Sequence, residues 1–304
     1  MTKTEKIKRM IEIDSSLPNR VIAESVGCTR RMVRHVRGEV EEKRPANLPK
    51  ILIFDIETAP MEIYAWGLYK QHPGIQQVIK DWSLLSWSAK WLFDSNIISR
   101  KVTGKEAFNR DDTNILPELW ELINQADILV GHNIQSFDIR KVNLRFALMG
   151  LMPPMPYRVI DTYKTARRVF NSASFKMDYL NKIFGLDMKD NAPYEWWKGA
   201  AEGDDECIAK MAAYNETDVR INEELYLKIR PWIKSHPNLG LYINTEETVC
   251  TYCTNENLTW GGHYYTPAGK YRTFRCDSCG AIGRSRTSDI DKETRARLLL
   301  SLAS

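Results

Sequence analysis

The spacing of apolar positions changes along the chain, and the changes predict its elements. Ile7, Met10 and Ile11 in KTEKIKRMIEI share one face at helical spacing, and Val21, Ile22 and Val26 do so in NRVIAESVG. LPN separates these two helices. Gly27 permits a tight turn before a third helix, TRRMVRHVR, which Thr29 can cap and in which Met32, Val33 and Val36 can face inward. EVEEKRPANLPK is charged, carries two prolines and has no period, so it reads as a linker.

The apolar run ILIFDIET then predicts a buried strand, and LLSWSAKWLF with NIISRKVTG a strand pair. Beyond them the pattern alternates. An amphipathic helix over 113–126 opens at Thr113 or Asn114, followed by the strand DILVGHN and the helix DIRKVNLRFALMG, stopped by Gly150. A short strand RVIDT, a helix MDYLNKIFG ending at Gly185 and a long helix ECIAKMAAYNETDVRINEELYLKIRPWI complete it. Strands alternating with helices predict an α/β sheet covered by helices. HYYTPAGKYRTFRC has β character, and DKETRARLLLSLA predicts a short amphipathic helix.

Composition narrows the class. With 304 residues, 43% hydrophobic and 27% charged, the chain suits a soluble globular protein with a large core and small appendages. No apolar run is long enough to span a membrane and the N-terminus lacks a secretory signal, so a cytoplasmic location is the default expectation. The net charge of +4 is uneven: +5 over residues 1–50, −2 over 51–245 and +3 over 250–286. Basic ends suit a polyanion and a slightly acidic middle suits cations. Arg30, Arg31, Arg34 and Arg37 on the third helix are the candidate nucleic-acid contacts of a helix-turn-helix outline.

The chemistry concentrates in three places. Asp55 and Glu57 are two apart on a strand, so they share a face. Two adjacent carboxylates repel, which a strand end open to solvent tolerates and a divalent cation exploits. Asp138 follows a strand and a short loop in GHNIQSFD, and Tyr214 and Asp218 in YNETD share one face of a helix.

In this order the fragments resemble the DEDD superfamily of 3′→5′ exonucleases, whose fold is ribonuclease H-like: a mixed sheet with flanking helices. FDIET, HNIQSFD and YNETD carry the resemblance, over residues 51 to about 230. It implies that Asp55, Glu57, Asp138 and Asp218 hold two Mg²⁺ or Mn²⁺ ions, with Asp55 bridging them. It also implies that Tyr214, which marks the tyrosine subgroup, orients the attacking water. A histidine subgroup member would carry His where Ala213 stands. Lys176, Leu180 and Gly185 match a K-x3-L-x4-G-like stretch seen in such enzymes. Asn133 is a candidate substrate contact, His132 reads as structural or a substrate-side contact rather than a metal ligand, Asp161 as an ordinary strand-end acid, and Trp82, Trp87 and Trp91 as aromatics in or near the core.

Cys250-x2-Cys253 and Cys276-x2-Cys279 have the spacing of a tetrahedral zinc site and resemble a zinc ribbon, with Gly280 in its turn. One structural Zn²⁺ is expected there. Lys270, Arg272, Arg275, Arg284 and Arg286 could give that module a phosphate-binding surface, and His263 is a possible but superfluous ligand. Cys28 and Cys207 read as small buried residues.

The expected organisation is a helix-turn-helix domain over 1–40, a linker over 41–50, an exonuclease domain over 51–245, a zinc ribbon over 246–287 and a helical tail over 288–304. The expected function is two-metal 3′→5′ hydrolysis of phosphodiester bonds in nucleic acid, with DNA favoured over RNA and no membrane partner. The alternatives are a DNA-binding regulator on a non-catalytic scaffold and an RNA-processing exonuclease.

Overall fold

The computed structural model describes residues 2–13, 19–41, 48–67, 69–188 and 192–300. Helices α1 (Lys3–Ile13), α2 (Asn19–Val26) and α3 (Arg30–Glu41) bury Ile7, Ile11, Ile22, Val33 and Val36 among themselves. Gly27 turns the chain between α2 and α3 at φ +65°, a conformation open to glycine without steric cost. α3 runs into the stretch expected to be a linker, and residues 42–47 of that stretch lie outside the described residues.

The central unit holds strands β1 (Ile51–Thr58), β2 (Glu62–Ile63), β3 (Val78–Lys80), β4 (Leu84–Trp91), β5 (Ile98–Lys101), β6 (Ile128–Gly131) and β7 (Arg158–Asp161). Five of these form a mixed sheet of order β5-β4-β1-β6-β7. β1 pairs antiparallel with β4 and parallel with β6, at the centre of the sheet. Being covered on both sides, β1 is a continuous apolar run rather than an alternating one. Leu52, Phe54 and Ile56 enter a core with α5 (Leu116–Gln125) and α6 (Asp138–Met149). Ile51 and Ile53 enter the opposite one, against Val219 and Tyr226 of α10 (Asp205–Ile229).

Several boundaries differ from the sequence expectation for local reasons. The 113–126 helix begins at Leu116 because Thr113 is spent on Asp111 at 2.6 Å and Asn114 on Glu106, so neither caps it. β5 stops early because Thr103 and Glu106 form a capping box that starts α4 (Gly104–Asn109). α7 (Thr162–Val169) and α9 (Tyr194–Ala201) were not expected, whereas α8 (Met177–Phe184) ends at Gly185 as expected. Cys28 and Cys207 are half-buried rather than buried. Cys207 lies in the first turn of α10, where α9 approaches so closely that a Cβ on Gly199 would stand 2.6 Å from its Sγ.

The C-terminal unit is an antiparallel sheet of β8 (Leu258–Thr266), β9 (Gly269–Cys276) and β10 (Ile282–Arg284). It leans on the end of α10 through an aromatic stack. The Tyr226 hydroxyl lies 2.9 Å from His236 Nε2, and the His236 and Tyr252 rings stack at 4.7 Å. Burial pulls His236 down to about 4, so its neutral ring accepts from Tyr226. The tail helix α11 (Lys292–Arg297) is capped by Asp291 and ends before Leu298, shorter than expected, and residues 301–304 lie outside the described residues. Among the described residues no helix is long and apolar enough to cross a membrane.

α3 faces the central unit with charge. Arg30 and Arg34 approach Asp187 at 3.3 and 3.5 Å, Arg37 donates to Asn19 at 2.9 Å, and Asn19 donates to Glu224 of α10 at 3.0 Å. Burial, then Asp187, pushes the Glu224 carboxyl up to about 7, against the pull of Arg34 and Arg37. A raised folded-state value adds stability that is complete below the unfolded range near 4.5 and lost as pH climbs through about 7. The Glu224 contribution to stability should therefore fall between about pH 5.5 and 8, on the order of 2 kcal/mol. Glu224→Gln flattens that slope, as thermal melts at the two pH values will show; equal slopes would count against the assignment.

Candidate active site

Strand parity aims the acids. Asp55 and Glu57 follow Ile51 and Ile53 on the face of β1 that α10 covers. Their cross-strand partners on β4 are Ser88 and Ser86, both fully buried, and such small side chains let the helix approach the sheet. Two residues beyond Ser88 on the same face of β4, Lys90 pairs with Glu223 of α10, fixing the helix by a buried ion pair.

α10 brings the third acid. Carboxylate oxygens of Asp55, Glu57 and Asp218 all lie within 4.8 Å of one another. Asn215 stands one turn before Asp218 and donates from Nδ2 to Asp55 Oδ2 at 2.7 Å, while its buried Oδ1 has no hydrogen-bond partner among the described residues. Glu57 accepts from the Trp197 indole at 3.1 Å, and the Trp197 ring meets Tyr214 edge-on at 6.1 Å. Trp197 and Asn215 thus hold two of the three acids, and neither was singled out in the sequence. Asn215 had a signal, since it is three residues before Asp218 on one helix face. Trp197 had none, because α9 reaches the site through tertiary packing on α10, α4 and the core of the sheet.

Asp138 stands just outside this trio. It opens α6, is 3% exposed, and accepts from the Ile56 amide, between the two β1 acids, at 3.2 Å. Burial, then the nearby Asp161 charge, pushes its carboxyl up to about 7 against the pull of that amide bond. Its stabilising contribution is complete below the unfolded value of 3.8 and lost as pH rises through about 7. Asp138→Asn keeps the acceptor for Ile56 and removes a buried charge, so it should stabilise the metal-free protein at pH 8 by roughly 1–3 kcal/mol. A chemical denaturation curve checks this, and a loss of stability would contradict it.

The loop before Asp138 is tied down by Asp161. That carboxylate caps α7 through the Lys164 amide and accepts from the Asn133 and Gln135 amides at 3.1 and 3.3 Å. Asn133 sits at φ +64°, a left-handed position that asparagine tolerates better than most residues. His132 bridges Thr162 and the Phe175 carbonyl at 3.0 and 2.9 Å. Trp87 is fully buried and donates to the Ile115 carbonyl, while Trp82 and Trp91 are half-buried against the same core. Of the four α3 arginines, Arg30, Arg34 and Arg37 are engaged within the chain and Arg31 is exposed.

The cysteines form a second cluster. All four Sγ atoms lie within 4.8 Å of one another, with Cys250–Cys279 and Cys253–Cys276 at 3.6 Å. The two knuckles repeat one backbone pattern. Thr254 N donates to Cys250 O and Gly280 N to Cys276 O, both at 2.9 Å, with Thr254 at φ +62° and Gly280 at φ +73°. Hydrogen bonds from Cys253 and Cys279 pull the Cys250 thiol down to about 4, as expected where one thiolate is shared among close sulfurs. His263 lies outside the cluster, paired with Asp289 at 2.9 Å.

The donor sets differ in hardness. Three carboxylates suit a hard divalent cation, and four thiols suit zinc.

Residues 89–230, from the end of β4 through α10, match the RNase H superfamily, and the mixed sheet with its flanking helices is consistent with an RNase H-like fold. The chain is 27% identical to Protein NEN3 of Arabidopsis thaliana over 153 residues, which is 45% of this chain and 29% of that protein. It is 28% identical to Protein NEN1 of the same plant over 159 residues, 47% of this chain and 32% of that protein. The chain thus matches about a third of the length of these curated relatives. A family B DNA polymerase from the archaeon Pyrobaculum calidifontis superposes with a TM-score of 0.44 at 17% identity, covering 60% of this chain and 25% of that one.

Proposed function

We propose that this protein is a metal-dependent phosphodiester hydrolase that shortens nucleic acid from the 3′ end. The observation that carries the reading is the convergence of Asp55, Glu57 and Asp218 within 4.8 Å, on the central strand and its covering helix. Acids so close are costly unless a cation offsets their repulsion. Asp55, Glu57 and Asp218 would hold one Mg²⁺ or Mn²⁺, and Asp138 would help hold a second beside Asp55. Bound divalent cations supply charge neutralisation at the phosphate and at the leaving oxygen.

The chain's own groups do the rest. Asn215 fixes the Asp55 carboxylate and Trp197 fixes that of Glu57. The Tyr214 phenol, braced by the Trp197 edge, orients the attacking water. The four cysteines hold a structural zinc that shapes the C-terminal sheet. The preference for DNA rests on the N-terminal helices alone, so matched DNA and RNA substrates decide it.

The test uses single-stranded oligonucleotides labelled at the 5′ or the 3′ end, with Mg²⁺ or Mn²⁺. A 5′ label should yield a ladder of shortening products, while a 3′ label is released as mononucleotide in the first step. Failure to degrade either DNA or RNA would overturn the proposal.

A further inference from the structure

The C-terminal sheet has two unlike faces. Leu258, Trp260, Phe274 and Cys276 are paired across β8 and β9 on one face, which covers the cysteine cluster. Tyr264 is paired with Tyr271, and Thr273 with Arg284 of β10, on the other. On that outer face the Arg284 guanidinium lies 4.0 Å from the centre of the Tyr271 ring and 5.5 Å from that of Tyr264. Tyr264 is 51% exposed with Arg284 exposed beside it, and Arg275, exposed on the same face, lies further along β9 opposite Thr259.

Near this stack β8 carries no side chain at two successive positions. β8 breaks register between Trp260 and His263 at two glycines. Gly262 needs its left-handed φ of +69°, but a Cβ on Gly261 would meet nothing within 4 Å. Packing does not demand that second glycine, whereas a ligand lying flat on the sheet benefits from it. The surrounding segment, 250–286, is +3 in net charge.

We propose that this outer face binds single-stranded nucleic acid, with bases stacking on Tyr264 and on the Arg284 plane that Tyr271 supports, and phosphates meeting Arg284 and Arg275. Aromatic rings and planar guanidinium groups accept any unpaired base, and the positive charge complements the backbone. Duplex bases are already stacked on each other, so they cannot use the rings. None of these residues belongs to the carboxylate cluster, so the site stands apart from the hydrolase reading.

The experiment measures fluorescence anisotropy of labelled oligo-dT and oligo-U with the whole 304-residue chain and no added divalent cation. Tyr264→Ala and Arg284→Ala should each weaken binding about 10-fold, and Tyr264→Phe should bind within about twofold of wild type. Arg284→Ala should also reduce the salt slope by about 0.7. Arg284→Lys keeps the charge without the plane, so it should keep the slope and still lose affinity. Poly-glutamate, charged but without bases, should not bind. Melting curves and zinc content verify that each variant is folded. Wild-type affinity in the folded alanine variants would overturn the proposal, as would equal loss in Tyr264→Phe, equal binding of duplex, or binding of poly-glutamate. Binding without hydrolysis would leave this site standing and overturn only the hydrolase reading.

Discussion

Asp218→Asn should abolish hydrolysis, lowering the rate at least about 10³-fold, or about 4 kcal/mol of lost transition-state stabilisation. Asparagine keeps the shape and one acceptor oxygen but removes a charge from a trio whose oxygens lie within 4.8 Å of one another. A divalent cation held by three carboxylates would lose one of their charges and keep only a neutral oxygen in its place, so Mn²⁺ titration by calorimetry should weaken in parallel. The metal-free variant should melt no lower than wild type, because the substitution relieves repulsion between like charges. That combination separates a catalytic acid from a structural one. A variant that keeps its activity would remove Asp218 from the site, and one that merely unfolds would deny the excess of repulsion argued for the trio.

Cys276→Ser should release the zinc and melt the C-terminal sheet. Structural zinc sites contribute roughly 10 kcal/mol or more to small domains, and the apolar material buried around this one is slight: Ala281, Phe274 and the cysteines themselves. Zinc content measured by mass spectrometry should fall from one per chain to none, and protease should cut within 250–284. The loss should spread no further than the Tyr226–His236–Tyr252 stack, since the Asp218 end of α10 is held separately by Lys90 on Glu223. Hydrolysis of a short oligonucleotide should therefore survive. Full zinc retention in the variant would show that the cysteines do not act as a set.

Much of the site could be read from the chain because strands and helices impose fixed periods. D-x-E on a strand puts two acids on one face, and Y-x3-D on a helix does the same for Tyr214 and Asp218. The paired C-x2-C spacing likewise anticipated the cluster of four thiols. The fold class followed from the same periods, and the RNase H superfamily match over 89–230 agrees with it. What escaped was non-local. One local signal was passed over too: the T-x-x-E capping box at Thr103 and Glu106, which opens at the end of an apparent strand. The α3 arginines were chosen for their charge, yet Asp187 and Asn19 engage three of them, and the sequence gives no sign that those partners lie opposite.

By itself, then, the sequence determined which residues share a face within each element: Asp55 with Glu57, Tyr214 with Asp218, and the cysteines within each knuckle. Backbone geometry fixes those relations locally, at separations of a few residues. Only the tertiary structure decided which faces meet. It set α10 over the acidic face of β1, brought the Trp197 indole to Glu57 and Asn215 to Asp55, and left Asp138 behind the Ile56 amide, outside the trio. These relations join positions 82 to 160 residues apart. They follow from burial of two apolar faces of one sheet, a property of the whole core that no local window contains.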